Sequence, residues 1–246
     1  MTTWTSDPSH PGIRRPVAVI TGGSRGLGLA TAQALTERGW GVALDARRSD
    51  QLEAAVRTLP AETFVGVPGD VTDPDHRVHL VDAARALGDV SLVIANASRL
   101  GPSPQPSLAT YPLDELRAVY ETNVLAPLAL IQLLLPDLSA SHGTVITVSS
   151  DAAVEGYAGW GGYGSSKAAL DQLTAILAAE HPELAVHAFD PGDMRTELHQ
   201  QAFPGEDIGD RPEPASVVPA LLRLVESDPE GVRHRASDLL TSAGAR

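Results

Sequence analysis

The chain has 246 residues, of which 43% are hydrophobic, as is typical of a globular protein that can bury a sizeable core. Its 31 acidic residues outnumber its 18 lysines and arginines, and the formal net charge is −13. A surface of this sign repels nucleic-acid backbones and anionic lipid, so no nucleic-acid or membrane partner is expected. The chain has no cysteine, which excludes disulfides, thiolate metal sites and cysteine nucleophiles.

The beginning of the chain is polar and contains prolines, and it holds no apolar signal core. We therefore predict a flexible tail over 1–15 and one domain over 16–246. The most apolar stretch, 124–138, is interrupted by two prolines, a glutamine and an aspartate. It falls short of the roughly 18 uninterrupted apolar residues that a membrane span needs. A soluble cytoplasmic protein is expected.

Short apolar runs alternate with longer segments of helical periodicity along the chain. Strands that alternate with helices indicate a parallel sheet covered by helices on both faces. In chain order, the pattern predicts strand Val17–Ile20, a helix that ends near Leu35, strand Val42–Leu44, helix Gln51–Leu59, strand Phe64–Val67, helix Asp73–Leu87, strand Ser91–Ala95, one long helix Leu113–Leu135, strand Thr144–Val148, helix Tyr163–Glu180, strand Ala185–Phe189 and helix Ser216–Glu226.

A Gly-rich turn, Thr21-Gly-Gly-Ser-Arg-Gly-Leu-Gly28, joins the first strand to the first helix. Gly22 permits a tight turn, while Gly26 and Gly28 let backbone and helix approach a pyrophosphate at the helix N-terminus. Glycines that merely break structure are the alternative. The position after a first strand and before a helix favours a dinucleotide site.

The Gly-x-x-x-Gly-x-Gly spacing of this turn resembles that of the short-chain dehydrogenase/reductase family, and further matches follow in family order as far as about Thr196. The resemblance implies an α/β fold with a doubly wound, mostly parallel, seven-stranded Rossmann sheet. Ala95 and Ser98 depart from the family, which has Asn and Gly there, and the C-terminal segment lacks the usual Asp-Gly-Gly-like ending. The matching segments are Asp70-Val71, Asn96-Ala97, Asn123, Ser150, Tyr163, Lys167, Pro191-Gly192 and Thr196.

Cofactor contacts are implied by the resemblance in the Gly-rich turn, at several strand ends, in the Tyr-Lys helix and after the sixth strand. The histidines are scattered without paired ligand spacing, so no metal site is expected. The implied cofactor-binding residues are Gly22, Ser24, Arg25, Gly26, Leu27, Gly28, Arg47, Asp70, Val71, Asn96, Ala97, Tyr163, Lys167, Pro191, Gly192, Met194 and Thr196.

The end of the second strand bears on which nicotinamide cofactor binds, because an acid there bonds the ribose hydroxyls of NAD. By register with the family that position is Ala46, which Arg47 and Arg48 follow, and Arg25 lies in the Gly-rich turn. Arginines near the ribose would neutralise a 2′-phosphate, so NADP(H) is favoured. A register shifted by one residue would put Asp45 in the ribose position, and NAD(H) is then the alternative.

Tyr163 and Lys167 stand four residues apart at the start of a predicted helix and therefore on one face. A free tyrosine has a pKa of about 10, and a nearby ammonium lowers it, so Tyr163 can exchange a proton with a carbonyl or alcohol oxygen. The resemblance implies that Ser150 hydrogen-bonds the substrate oxygen. It also implies that Asn123 completes a water-mediated proton path from Lys167. An ordinary surface pair is the alternative for the tyrosine and lysine alone.

The segment 193–214 is predicted to cover the substrate, with Gly205 and Gly209 allowing it to move. Asp151 and Asp193 each follow a site element, and they either face the substrate or cap the next segment.

The predicted function is hydride transfer between NADP(H) and a small carbonyl or alcohol substrate, in a homo-oligomer, either a dimer or a tetramer. The alternatives are an NAD-dependent alcohol dehydrogenase, a non-redox lyase or cyclase, and a dinucleotide-sensing protein on the same fold.

Overall fold

A computed structural model describes residues 14–60 and 63–241 of the chain. The predicted tail, 1–15, falls almost entirely outside the described residues. The strands of the described part are β1 (Pro16–Ile20), β2 (Gly41–Ala46), β3 (Phe64–Pro68), β4 (Asp89–Ala95), β5 (Thr144–Val148), β6 (Ala185–Asp190) and β7 (Arg233–Arg235).

These strands form one sheet in the order β3-β2-β1-β4-β5-β6-β7, and every neighbouring pair is parallel. The helices that accompany them are α1 (Gly26–Thr36), α2 (Ser49–Val56), α3 (Pro74–Leu87), α4 (Leu113–Tyr120), α5 (Ala126–Ser141), α6 (Gly161–Glu180), α7 (Glu197–Ala202), α8 (Val218–Ser227) and α9 (Ala236–Thr241).

The two faces of the sheet bury separate apolar clusters, because side chains alternate along each strand. In β1, Ala18 and Ile20 join residues of α1, α8 and α9 on one face. Val17 and Val19 join residues of α3 and α5 on the other. Helices on both faces confirm the predicted doubly wound Rossmann fold, and the described sheet is wholly rather than mostly parallel.

The chain reverses its direction of winding at β1, which has β2 on one side and β4 on the other. In open α/β sheets the crevice outside the carboxyl ends of the strands at such a point is where ligands bind. The Gly-rich turn leaves β1 at this place, so the topology puts it opposite the residues that follow β4.

The helix predicted over Leu113–Leu135 is not regular. A π-helical turn, Glu121–Leu125, separates α4 from α5, and α5 continues to Ser141. Pro127 explains the break, since its ring has no N–H and would clash with the carbonyl of Asn123 four residues earlier. The sequence pattern predicts one long helix here and does not indicate the π turn.

By length and composition, the stretch Leu113–Ser141 is long and apolar enough to cross a membrane. The sequence prediction considered only the shorter stretch 124–138, which falls short of a membrane span. In the structure α5 buries Leu130, Leu134 and Leu138 in the core cluster beneath the sheet. Packing of this kind is what the core helix of an α/β protein requires.

The seventh strand was implied by the resemblance but not located in the sequence. β7 has three residues, Arg-His-Arg, which carry no apolar run and no alternation that predicts a strand. Its backbone pairs with β6 from Ala188 to Asp190, so tertiary pairing rather than local sequence makes it a strand. α7 likewise lies within the segment 193–214, where the sequence pattern predicts no helix.

Candidate active site

A cavity of about 730 Å³ opens at the carboxyl ends of the strands. It is continuous from the Gly-rich turn to the segment after β6. Its volume is in the range of small-molecule and cofactor sites. Gly28 and Asn123 are the two predicted site residues that do not line it. Those that do are Gly22, Ser24, Arg25, Gly26, Leu27, Arg47, Asp70, Val71, Asn96, Ala97, Ser150, Tyr163, Lys167, Pro191, Gly192, Met194 and Thr196.

The Gly-rich turn has the backbone that its glycines were predicted to allow. Gly22 and Gly26 have φ values of 67° and 56°, in the left-handed region that favours glycine. Gly28 faces the turn instead of the cavity, and a Cβ on it would lie 2.5 Å from the Gly22 carbonyl oxygen. Its lack of a side chain therefore permits close packing of α1 on the turn.

The start of α1 fits the pyrophosphate of a dinucleotide. Arg25 occupies the N-cap position without a side-chain cap, and the first turn holds no acidic residue. The first amides of a helix lack partners within the helix, and they carry the positive end of its dipole. With Gly26 presenting no Cβ beside them, these amides form a cradle for phosphate oxygens.

Asp45 is the acid at the end of β2. Its carboxylate is buried, and it accepts hydrogen bonds from the Gly22 N–H at 2.7 Å and, at 3.1 Å, from His76 Nε2. The Asp45 carboxylate therefore supports the Gly-rich turn, and Asp45 also lines the cavity. Sequence reasoning missed His76, which lies 31 positions away along the chain.

The three arginines near the ribose position differ in their partners. Arg48 pairs with Asp50 at 2.7 Å, and Arg25 pairs with Glu197 of α7. Arg47 is exposed, lines the cavity, and makes no ion pair with any described residue. Arg47 is therefore the guanidinium most available to an added phosphate.

Asp70 and Asn96 follow β3 and β4, where the family pattern placed them. Burial alone would raise the pKa of Asp70, but hydrogen bonds from the Thr72 N–H and hydroxyl outweigh it and hold that pKa below its ordinary value. Asn96 Nδ2 donates to the carbonyls of Thr21 and Gly22 at 2.9 and 3.1 Å. Asn96 thus ties the end of β4 to the Gly-rich turn.

Tyr163 and Lys167 lie one turn apart on α6, and both are buried. Lys167 Nζ donates to the Val148 carbonyl at 2.7 Å and lies 5.5 Å from the centroid of the Tyr163 ring. Burial lowers the pKa of Lys167 to about 8, although Asp171 opposes the shift. The two residues are therefore not an ordinary surface pair.

The pKa of Tyr163 differs from the sequence prediction. Burial raises it to about 12, while hydrogen bonds from Ser98 and Ser150 act in the opposite direction and Asp151 and Asp190 add to the rise. The rise is opposite to the predicted lowering, because desolvation of the phenolate is the largest of these contributions. At neutral pH the Tyr163 hydroxyl keeps its proton.

Ser150 follows β5 by two residues and caps the short 3₁₀ turn Asp151–Ala153. Its hydroxyl donates to Asp151 Oδ1 at 2.9 Å and accepts from the Ala152 N–H at 3.2 Å. Asp151 also accepts from the Ala152 N–H at 2.8 Å and from the Tyr157 hydroxyl at 3.1 Å. Asp151 is the first residue of this turn and lines the cavity beside the serine.

Asp193 also lines the cavity, but it caps no helix. Its carboxylate lies 3.7 Å from His199 Nδ1 and 3.7 Å from Arg211 Nε, both in the segment 193–214. Asp193 therefore links His199 and Arg211 within the segment 193–214. Thr196, not Asp193, caps α7, through a hydrogen bond from the His199 N–H at 3.2 Å.

Asn123 is fully buried in the π turn, and its side chain is saturated. Oδ1 accepts from the Arg99 N–H at 2.7 Å and the Ser98 hydroxyl at 3.2 Å. Nδ2 donates to the Arg99 carbonyl and the Ser166 hydroxyl, both at 2.9 Å. An amide has two donor hydrogens and two acceptor lone pairs, so the predicted water relay finds no free side-chain group here. The residue instead braces Ser98 against α6.

Aromatic side chains form one wall of the cavity. The Trp160 ring packs against those of Tyr163 and Phe203, each with centroids 5.8 Å apart, and against Tyr157 at 6.3 Å. Leu198 of α7 packs on the same small cluster. Leu198 and Phe203 of the segment 193–214 therefore pack beside the reacting centre.

The sheet, the cradle at α1 and the Tyr-Lys-Ser centre together define a dinucleotide-binding α/β oxidoreductase. The sequence profile described as short chain dehydrogenase matches residues 16–207. The chain belongs to the short-chain dehydrogenase/reductase family, whose members are NAD(P)-dependent oxidoreductases that act on alcohol and carbonyl groups of small molecules.

Two curated relatives have names that specify a substrate. A serine 3-dehydrogenase from Rhizobium radiobacter is 31% identical over 233 residues, which cover 90% of this chain and 92% of that protein. A benzil reductase ((S)-benzoin forming) from Saccharomyces cerevisiae is 33% identical over 196 residues, covering 75% of this chain and 73% of the relative. One is named for oxidation and the other for reduction.

Two solved structures that match the fold contain a nicotinamide cofactor or a derivative of it. A short chain dehydrogenase from Escherichia coli complexed with NADPH has a TM-score of 0.82 at 27% identity, covering 91% of this chain and 97% of that one. An alcohol dehydrogenase from Thermococcus sibiricus complexed with 5-hydroxy-NADP has a TM-score of 0.77 at 28% identity, with coverage of 90% and 95%.

Proposed function

We propose that this chain is an NADP(H)-dependent oxidoreductase that transfers a hydride between nicotinamide and a carbonyl or alcohol carbon, with Tyr163 as the general acid and base. The observation that carries the proposal is the buried Tyr163 hydroxyl. Its ring is buried, and Tyr163 lines the cavity together with Ser98, Ser150 and Lys167, in the same cavity as the phosphate cradle.

Each residue of the reacting centre has a chemical task. Tyr163, protonated at neutral pH because its pKa is about 12, donates its proton to the oxygen of a carbonyl substrate. Ser150 bonds the same oxygen and stabilises the charge that develops on it. Lys167, held by Val148, keeps a positive charge near the phenolate that remains. The bound nicotinamide would supply the hydride for reduction or accept it in oxidation.

NADP(H) is proposed over NAD(H) because of the charges at the end of β2. Arg47 is exposed and free of ion pairs among the described residues, and Asp45, the acid of the strand itself, is buried against Gly22 and His76. A 2′-phosphate would find a cation there, whereas the ribose hydroxyls of NAD would find no carboxylate.

A soluble, cytoplasmic homo-oligomer is also proposed, as a dimer or tetramer. Leu125 and Leu133 in and beside α5, and Ile176 on α6, are exposed at 48%, 36% and 43%. Exposed apolar side chains favour contact with a second subunit. Sedimentation of the purified chain tests the oligomer, and a mass equal to one chain would contradict it.

The test of the activity is NADPH consumption against a panel of ketones and aldehydes, with Tyr163→Phe as the critical variant. Loss of a positioned general acid is expected to lower kcat by about a thousandfold. Tyr120→Phe, at the end of α4 and outside the cavity, is the matched control and should keep the parental rate.

Other outcomes distinguish the alternative functions. NADPH binding without turnover of any carbonyl would indicate a dinucleotide sensor. Product formation without any change in the cofactor would indicate a lyase or cyclase. A parental rate in Tyr163→Phe would remove the tyrosine from the mechanism.

A further inference from the structure

The last strand carries an arginine that touches three parts of the reacting centre. Arg233 Nη2 donates to the Ser150 carbonyl at 2.9 Å and bonds Asp190 Oδ2 at 2.9 Å. Arg233 Nε donates to Asp171 Oδ2 at 3.0 Å. One guanidinium on β7 thereby joins the end of β5, the end of β6 and the middle of α6.

Each of the groups that Arg233 holds adjoins a residue of the reacting centre. Asp171 is one turn beyond Lys167 on α6, and it also accepts from the Ser149 hydroxyl at 2.8 Å. Asp190 precedes Pro191 and Gly192, and its Oδ1 accepts from the Gly192 N–H at 3.1 Å. The contact with the Ser150 carbonyl is made to the backbone of the serine that lines the cavity together with Tyr163.

The two carboxylates depend on this arginine for their charge balance. The side chains of Asp190 and Asp171 are only 4% and 14% exposed, and that of Arg233 is 26% exposed. A buried carboxylate without its cation is strongly unfavourable, and its field reaches neighbouring titratable groups. Asp171 raises the pKa of Lys167, and Asp190 raises that of Tyr163.

We propose that Arg233 is a positioning residue of the reacting centre, which fixes Ser150 and neutralises the two carboxylates that flank Lys167 and Tyr163. The catalytic part of this inference rests on the proposed function. No local pattern predicts the role, because β7 joins the site only through its pairing with β6. The charged and titratable groups around the centre are Tyr163, Lys167 and Asp171 on α6, Asp151 after β5, Asp190 on β6 and Arg233 on β7.

The chain offers a direct readout, because Lys167 is its only lysine. In protein labelled selectively at lysine side chains, NMR will show a single ε-resonance whose titration reports Lys167 alone. Arg233→Gln removes a nearby positive charge and leaves Asp171 unneutralised, and both changes favour the ammonium. The pKa of Lys167 should therefore rise, by roughly one unit.

Two further variants separate charge, geometry and folding. Arg233→Lys keeps the charge but cannot make all three contacts, so the pKa of Lys167 should stay near the parental value while kcat falls about tenfold. Arg235→Gln, two residues along the same strand, is the matched control. Arg235 is 47% exposed and lies no closer than 3.7 Å to Glu155 and 3.8 Å to Asp190, so neither readout should change by more than about twofold.

A Lys167 titration in Arg233→Gln that coincides with the parental curve would overturn the electrostatic role, and full kcat in Arg233→Lys would overturn the positioning of Ser150. The titration requires folded protein but no substrate. If the parent reduces no carbonyl, the proposed function fails, while the lysine pKa still tests the place of Arg233 in the site.

Discussion

The cofactor side and the reacting side of the cavity are built in different ways. Around the Gly-rich turn, backbone amides, glycines and the Asn96 amide make the contacts, and these elements lie next to β1 and β4. Around Tyr163, the contacts come from side chains of α6, β5, β6 and β7, and several of them are buried charges. Backbone geometry dominates the first region and electrostatics the second.

This difference teaches how each region responds to change. A backbone cradle tolerates altered side chains as long as the turn keeps its shape, but it tolerates no added atom where helix and turn meet. A centre of buried charges tolerates changes of shape better than changes of charge, because each unpaired ion alters its neighbours' pKa values. The following variants test this contrast.

The largest effect is expected from Gly28→Ala. The added Cβ would lie 2.5 Å from the Gly22 carbonyl oxygen and 2.7 Å from Asn96 Nδ2, so the turn must move. Alanine favours a helix more than glycine does, so propensity alone predicts a more stable protein. We expect NADPH affinity, measured by fluorescence titration, to fall about a hundredfold. Gly156→Ala, where nothing lies within 4 Å of the new atom, is the control, and equal losses in both would contradict the cradle.

The next effect concerns stability on the reacting side. Lys167 in the folded chain loses its proton near pH 8, whereas its ordinary pKa is 10.5. Between these values the unfolded chain binds more protons than the folded one, so stability must rise with pH. From pH 8 to pH 10 this lysine should add about 2 kcal/mol to the free energy of unfolding. Urea unfolding of the parent and of Lys167→Met measures it, and an equal rise in both would exclude the lysine as the cause.

The same contrast explains what could be predicted from the sequence. The Gly-rich turn, the strand ends after β3 and β4, and the Tyr-Lys pair are local patterns, and the structure places them in one cavity. The raised pKa of Tyr163, the saturated Asn123 and the network of Arg233 depend on burial and on residues far apart in sequence. A sequence pattern carries neither the depth of a side chain nor the identity of its partners.

A smaller effect is expected at the ribose end of the cofactor side. Arg47→Ala removes a guanidinium that pairs with no acid in the described part of the chain, so NADPH affinity should fall about tenfold while NADH affinity hardly changes. Arg48→Ala is the matched control, because Arg48 already bonds Asp50 at 2.7 Å. Affinities for the two cofactors, measured side by side, test the assignment. Equal losses for NADPH and NADH in Arg47→Ala would contradict a 2′-phosphate contact.

The smallest expected effect lies where the two sides meet. Arg25 of the Gly-rich turn pairs with Glu197 of α7, and both side chains are about half exposed, at 49% and 51%. If Arg25 also serves a 2′-phosphate, the carboxylate competes with it, and Glu197→Gln should raise NADPH affinity about threefold without changing that for NADH. Glu206→Gln, on the same segment but outside the cavity, is the control. Weaker binding of both cofactors in Glu197→Gln would show instead that the pair closes the covering segment, because a closing contact acts on any dinucleotide regardless of its 2′ group.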